Sequence, residues 1–371
     1  MTSAIDATKP VDAVPASKAD LRANLAAAKS EIEALQVTTA ALTPYAFSGM
    51  RNRLYNPLFR MDRRNGAALV SVPAGSTYKF TVDRWFGTAI AGGGTFSVQS
   101  VQTGPTDIVS AVRMATTTAK GGLAAGDLHY FGTALEGNDW LDLQWGTSSA
   151  RGVTLSFWAR SSLTGTFSVA LHSTGYGVSY VGTYSITVAN TWQYKTIVIP
   201  GPTIGTWGTT AATSLGLKFD LGCGSTFQGA AGVWTAGHRA TTSGSVSLIT
   251  TLSATLDIAA IQLEVGSVAT SFERRVDSLE VLLTGRYYEN LQFNLAGYNT
   301  IGAVMQHVIQ AVIYKRATPT ITLTSSAPTN LTAPITTAIG GQGGFLASAT
   351  VTATGAWTWS SLYAIDSEIT I

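Results

Sequence analysis

The four histidines of this chain, His129, His172, His238 and His307, are scattered. None stands in the His-Glu-x-x-His spacing that brings two imidazoles to one metal ion, so no metal site is expected. No Gly-x-Ser-x-Gly elbow presents a nucleophilic serine. The glycine runs GGGTF and GGQGGF do not join a strand to a helix, as a phosphate-cradling loop must, and read as turns. Cys223, in LGCGS, is the single cysteine. It excludes an intrachain disulfide and reads as a small buried side chain. No cofactor is implied.

Carboxylates are the remaining route to catalysis. A glycosidase needs two acids facing one sugar across several ångströms. EGNDWLDLQW offers Glu136, Asp139 and Asp142; the competing reading is a polar loop entering a strand. A depolymerase built as a β-helix would need short repeated coils, and the sequence has none. In TVDRWFG, Asp83, Arg84 and Trp85 could meet a sugar. The apolar alternation favours a core strand ending in Trp85, with Arg84 held by a carboxylate.

Sugar recognition without catalysis asks for less: exposed rings that stack on C–H faces, and a few polar groups for the hydroxyls. STGYGVSYVG, GPTIGTWGTT and GVWTAGHRATTSG place aromatics among turn residues. Tyr176, Trp207 and Trp234, with His238 and Arg239 as polar neighbours, are the candidate glycan contacts. The alternative for Trp207 and Trp234 is that they cover the ends of a sandwich.

The elements that must position these residues are strands. Of 371 residues only 12% are charged and 45% are hydrophobic, with 38 glycines. Thr and Ser alternate with Val, Ile and aromatics, which suits pleated, half-buried surfaces. LVSVPAG, STYKFTVDRWFG, GTFSVQSV, DIVSAVRM, DWLDLQWG, VTLSFWAR, GTFSVALH, WQYKTIVIPG, LGLKFDLG, SVSLITTLS and LDIAAIQLEVG each read as a strand. Turn residues separate them, which predicts a two-sheet jelly-roll β-sandwich. After VDSLEVLLTGRYYE, one or two helical turns, AVMQHVIQAVIYKR, PTITLTS, FLASATVTATG and WTWSSLYAIDSEITI predict a smaller C-terminal β-sandwich.

One segment is different. SKADLRANLAAAKSEIEALQ is charged, Ala-rich and free of Gly and Pro. Leu21, Leu25, Ala28, Ile32 and Leu35 form an a/d heptad seam, and Ser17 with Asp20 reads as a capping box. A single helix of this length is marginal in water. It either docks on its own domain or self-associates in a coiled coil. Residues 1–16 carry little apolar content and are expected to be extended until they meet a partner.

Longer motifs carry a resemblance. NPLFRMDRRNG with YKFTVDRWFG, then NTWQYKTIVIPGPTIGTWGTTAATSLGLKFDLGCGSTFQGAAGVWTAGHRATTSG, then IAAIQLEVGSVATSFERR with RYYE, resemble a module of bacteriophage tail-fibre proteins over roughly residues 52–290. Thr284 and Gly285 stand where that module often has Cys-Gln. The resemblance implies a virion fibre or spike, tail fibre, tail tip or head spike, that is homotrimeric and carries a carbohydrate-binding-module-like jelly roll. It also raises a structural calcium ion near the last strand, with Asp257 and Glu264 as candidate ligands, although no Asp-rich run accompanies them.

The sequence therefore predicts a mainly β protein in four parts. Residues 1–16 are a flexible virion-attachment segment, 17–43 a coiled-coil helix, 44–276 the jelly roll, and 277–371 a C-terminal β domain. The expected function is non-enzymatic binding of host surface polysaccharide by a homotrimer joined to other virion proteins through its N-terminus. The rival readings are a purely structural decoration or connector protein, and a glycan depolymerase. A net charge of +2 gives no reason to expect nucleic acid. No apolar run is long enough to enter a membrane, and no secretory signal is expected.

Overall fold

The computed structural model describes residues 18–40, 50–90, 92–338 and 344–368. They belong to two compact units, Met1–Met50 and Arg51–Ile371. In the first, α1 spans Lys18–Ala40. Leu25, on its apolar stripe, is 70% exposed in the single chain, and Ala28 is half-buried. Residues 1–16, the capping Ser17, and the side chains of Leu21, Ile32 and Leu35 lie outside the described residues.

The second unit is built from antiparallel sheets. The sandwich strands are β1 (Val70–Val72), β2 (Ser76–Phe80), β3 (Trp85–Ile90), β4 (Thr95–Val101), β5 (Ala111–Thr118), β6 (Leu128–Glu136) and β7 (Val153–Ser161). They continue with β8 (Gly165–Ser173), β9 (Val178–Ile186), β10 (Gln193–Ile199), β11 (Thr213–Cys223), β12 (Trp234–Ala236) and β13 (Thr255–Val265). A six-stranded sheet runs β1-β4-β5-β13-β7-β10, and a seven-stranded sheet runs β12-β9-β8-β11-β6-β3-β2. Between them lies one core. Leu215, Leu217, Phe219 and Leu221 alternate along β11 to face Leu155 and Phe157 of β7. Phe157 meets Phe219 edge-on at 5.1 Å, and Trp85 stacks on Phe131 at 5.3 Å.

Three expected strands are corrected. STYKFTVDRWFG is two strands, because the chain turns at Thr81–Arg84, where the Thr81 and Trp85 backbones pair. Arg84 takes φ +74°, a left-handed conformation costly for a long side chain, and is held there by Glu368 and the Ala134 carbonyl. DWLDLQWG contributes to a 3-10 helix over Gly137–Leu143, since Trp140 and Leu143, three apart, are buried on one side. In SVSLITTLS, Leu248–Thr250 is also a 3-10 turn. Ile249 fills space that a Cβ on Gly94 or Gly222 would occupy, so the segment plugs the sandwich and does not pair. β9 and β12, taken from sequence as aromatic turns, are strands.

Helix α2 (Asp277–Gly285) follows, then β14 (Tyr288–Asn299), β15 (Val304–Gln310), β16 (Thr320–Thr329), β17 (Ile335–Ala338), β18 (Gly344–Thr350) and β19 (Gly355–Asp366). These make two three-stranded sheets, β14-β19-β16 and β15-β18-β17. Their shared core holds Trp357, Trp359, Tyr363 and Phe345. At Gly285 a Cβ would come 2.0 Å from Ile313 Cδ1, so a longer residue there would displace Ile313. Thr284 Oγ1 accepts from Arg63 Nη2 and donates to the Glu280 carbonyl.

The two β regions are tied by ions. Arg286 donates to Glu136 from Nε and Nη2 at 3.1 and 2.9 Å, and Arg64 meets Asp366 at 2.7 Å. On the C-terminal side of this junction Lys315 pairs with Glu289 at 3.2 Å. Beyond this junction charge disappears: between Glu289 and Asp366 the only charged residues are Lys315 and Arg316. Val304, Val308, Val312 and Tyr314 are all exposed there.

Candidate functional site

The outer face of the six-stranded sheet presents aromatic side chains to solvent. On β7, Leu155, Phe157 and Ala159 enter the core, so Ser156, Trp158 and Arg160 point the other way. On β10, Ile197 and Ile199 are buried, and Tyr194, Thr196 and Val198 are exposed. The register sets Tyr194 directly opposite Trp158. Their rings are 5.5 Å apart and inclined at 56°, and Tyr194 is 46% exposed. Two partly open aromatics side by side on a sheet form a shallow stacking surface.

A polar row runs beside them. Arg160 on β7 lies opposite Asp257 on β13, which lies opposite Arg113 on β5. Arg113 Nε and Nη2 donate to the two Asp257 oxygens at 2.8 and 2.9 Å. Arg160 donates to Asp257 Oδ2 from Nε and Nη2 at 2.9 and 2.6 Å, and from Nη2 to Thr103 Oγ1 at 3.3 Å. Its guanidinium also sits 4.7 Å above the Trp192 ring. The hydrogen bond to Asp257 raises the Arg113 pKa above its ordinary value, so its charge is fixed at every physiological pH. Asp257 is thus engaged by guanidiniums, the other suggested calcium ligand, Glu264, accepts from Gln262 and Thr270, and among the described residues no three His, Cys, Asp or Glu side chains come together as metal ligands.

The aromatics singled out from sequence fall into two separate groups. Trp207 and Trp234 pack edge to face at 5.6 Å, and both meet Trp145. Tyr180, which is opposite Trp234 in the β9–β12 pair, closes the group. The two indole N–H groups donate to the Ile204 and Pro200 carbonyls. These rings are half-buried against the sandwich core and tie down its neighbouring loop. Tyr176 lies instead on the outer side of the seven-stranded sheet, stacked on His238 at 3.7 Å. Arg239 donates from Nη1 to the Thr226 carbonyl.

Beneath Tyr176 and His238 is a buried amine. Lys218 Nζ is 2.7 Å from His238 Nε2 and lies 4.5 and 4.3 Å from the Tyr130 and Tyr176 rings. Burial drives its pKa well below the usual lysine range. Burial, then Lys218, pushes His238 down to about 3, and burial holds His172 well below its ordinary value. Cys223 is enclosed nearby, and burial pushes its thiol up.

The carboxylates near the 3-10 helix are each engaged. Burial, the largest single influence, opposes ionisation of Glu136, but hydrogen bonds from Arg286 and Tyr287 and the charges of Arg286 and Arg316 together outweigh it and the pKa falls. Asp139 accepts from Tyr55 OH at 3.1 Å; burial, then the Glu136 charge, pushes it up to about 6. Asp142 takes both Arg53 amino groups, at 3.0 and 2.7 Å.

The face carrying Trp158 and Tyr194 was not singled out from sequence, although its signal was present. Alternation in VTLSFWARS separates Trp158 and Arg160 from the core residues. Their alignment with Tyr194 and Asp257 depends on strand register, which the sequence does not display.

No protein-family model and no curated protein sequence matches the chain. Among solved structures it is similar to the enzymatically active domain of tailspike protein 4 of bacteriophage CBA120, at 14% identity and TM-score 0.29, over 53% of this chain but only 21% of that one. It is similar to a putative sugar binding protein from Bacteroides thetaiotaomicron at 12% identity and TM-score 0.35, over 58% of this chain and all of that one (100%). It is also similar to a family 11 carbohydrate-binding module from Clostridium thermocellum, at 14% identity and TM-score 0.27, over 54% and 98% of the two chains. At such scores the likeness decides nothing about a ligand.

Proposed function

We propose that this chain is a non-enzymatic, homotrimeric fibre or spike protein of a bacteriophage particle. It binds glycan on the host surface through the outer face of its six-stranded sheet. The observation that carries the glycan reading is the partly open Trp158–Tyr194 pair beside the Arg160–Asp257–Arg113 row. Rings give contact area with little loss of side-chain freedom, and guanidinium N–H groups can take hydroxyls. The particle assignment rests on the resemblance of the long sequence motifs to tail-fibre modules, with residues 1–16 as the docking segment. The rival connector role gives no reason for rings to remain open on this face.

Single sugar sites of this kind are weak, on the order of millimolar, or about −4 kcal/mol. Three sites on one stalk would gain roughly a hundredfold in avidity when they engage together. Trp158→Ala should therefore reduce adsorption of the whole protein to host cells far more than it reduces binding of a short oligosaccharide. Trp158 is partly exposed, so the variant should melt close to the parent. Parental adsorption by a well-folded Trp158→Ala protein removes this face from the reading.

Two features support self-association. One is the helical seam with Leu25 exposed. The other is the nearly uncharged C-terminal region, whose edge strands β15, β16 and β17 lack the charges that normally keep edges from pairing. A like copy meets such a surface without charge repulsion. Sedimentation should give about three times the chain mass, and Leu25→Asp with Ile32→Asp should shift the protein toward smaller species, because the seam would have to desolvate charge. A clean monomer for the parent at micromolar concentration refutes the trimer.

A further inference from the structure

We infer, on the basis of the glycan reading above, that the ligand of this face is an acidic oligosaccharide, whose carboxylate is taken by Arg113 while its sugar rings stack on Trp158 and Tyr194. The row contains two guanidiniums and one carboxylate, so one positive charge is left uncompensated among the three side chains. Arg160 is the better covered, set over Trp192 and 20% exposed. Arg113 is 39% exposed. Asp257 occupies one N–H on its Nε and one on its Nη2. Of the five N–H donors of a guanidinium, those on Nη1 make no hydrogen bond to protein among the described residues. Arginine presented in this way matches a carboxylate in two-point geometry, which a hydroxyl cannot reproduce.

The spacing sets the size of the ligand. Strand order places β5, β13, β7 and β10 side by side. Three inter-strand steps separate the strand of Tyr194 from that of Arg113, about 14 Å at the usual spacing. A ligand touching both ends must extend over several sugar units. Asp257, held by two arginines and buried, keeps the row rigid and would repel a carboxylate placed centrally, which directs the acid toward Arg113.

The test uses the full chain with polygalacturonate, alginate and polysialate, each also as its carboxyl-reduced, neutral form, by calorimetry at fixed ionic strength. At least one polyanion should bind about tenfold more tightly than its reduced form. Arg113→Gln should abolish that preference, weakening the acidic form far more than the neutral one. Arg113→Lys, which keeps the charge and loses the two-point geometry, should fall between. Trp158→Ala should weaken both forms. Equal binding of acidic and reduced polymers, with Trp158→Ala still damaging, overturns the acidic ligand and leaves the glycan reading intact. Binding that Trp158→Ala does not touch, or no binding to any of the polymers, overturns both. Thermal melts of every variant separate loss of the site from loss of fold.

Discussion

Glu368→Gln should destabilise this protein by about 3–5 kcal/mol, a large share of the 5–15 kcal/mol typical of a folded domain. The change is nearly isosteric and removes only a charge. That charge is the carboxylate facing Arg84, in a pair whose side chains are 1% and 3% exposed. Arg84 also lies 3.5 Å over the Tyr287 ring and donates to the Ala134 carbonyl. Burial works against its charge, and Glu368 outweighs it to keep the arginine ionised. In the variant the guanidinium stays buried and uncompensated, which is why removing one partner costs far more than the pair contributes. Replacing both, as Arg84→Met with Glu368→Leu, should recover most of the loss. Urea denaturation of the three proteins measures this. A loss below about 1 kcal/mol in Glu368→Gln would mean that another acceptor, such as Asp366, which already holds Arg64 at 2.7 Å, moves to compensate the Arg84 charge.

The same pair shows what the sequence could and could not disclose. The apolar alternation around Trp85 and the need of Arg84 for a carboxylate were legible from TVDRWFG. The partner was not, since it stands 284 positions away. Long alternating strands such as β7, β8 and β13 were legible because core and solvent faces differ in polarity. β14 was missed although Leu291, Phe293 and Leu295 alternate with Gln292 and Asn294, because its start lies in the stretch read as helical turns and the remainder was assigned no element. The 3-10 helix at Gly137–Leu143 was misread because two buried residues three apart look like a strand entry when flanked by aromatics. The open face depends on register: Trp158 becomes half of a pair only when β10 lies beside β7. The N-terminal helix is legible as a helix, while what covers its seam is not.

Lys218→Met should make the protein more stable at pH 7, by about 1–4 kcal/mol, and should reduce its pH dependence above neutrality. Lys218 is fully buried on β11, with His238 at hydrogen-bond distance and, among the described residues, no carboxylate within ion-pair range. Burial depresses its pKa, so over the range between its folded value and the ordinary lysine value the unfolded chain binds a proton that the folded chain does not. Stability must then rise with pH in that window, by up to about 1.4 kcal/mol per unit. The neighbours define where the slope can be read. His172 and His238, both depressed, act in the same direction but only below their unfolded values, so their effect is complete by about pH 7.5. Cys223 and the tyrosines Tyr130 and Tyr176 are acids raised by burial, and each lowers stability once its unfolded counterpart ionises, from about pH 8.5 upward for the thiol. Between pH 7.5 and 8.5 the depressed amines set the sign, Lys218 furthest from its ordinary value and Lys315 and Lys195 lowered in the same direction. Methionine keeps the length of the side chain and offers sulfur to the same two rings, while half-buried His238 can turn to water. Denaturation midpoints at pH 7.5, 8.0 and 8.5 should climb more steeply for the parent than for Lys218→Met. A variant less stable than the parent at pH 7, with the parent climbing no more steeply than the variant across the window, would show that Lys218 is charged in the fold and that the Tyr130 and Tyr176 faces sustain that charge.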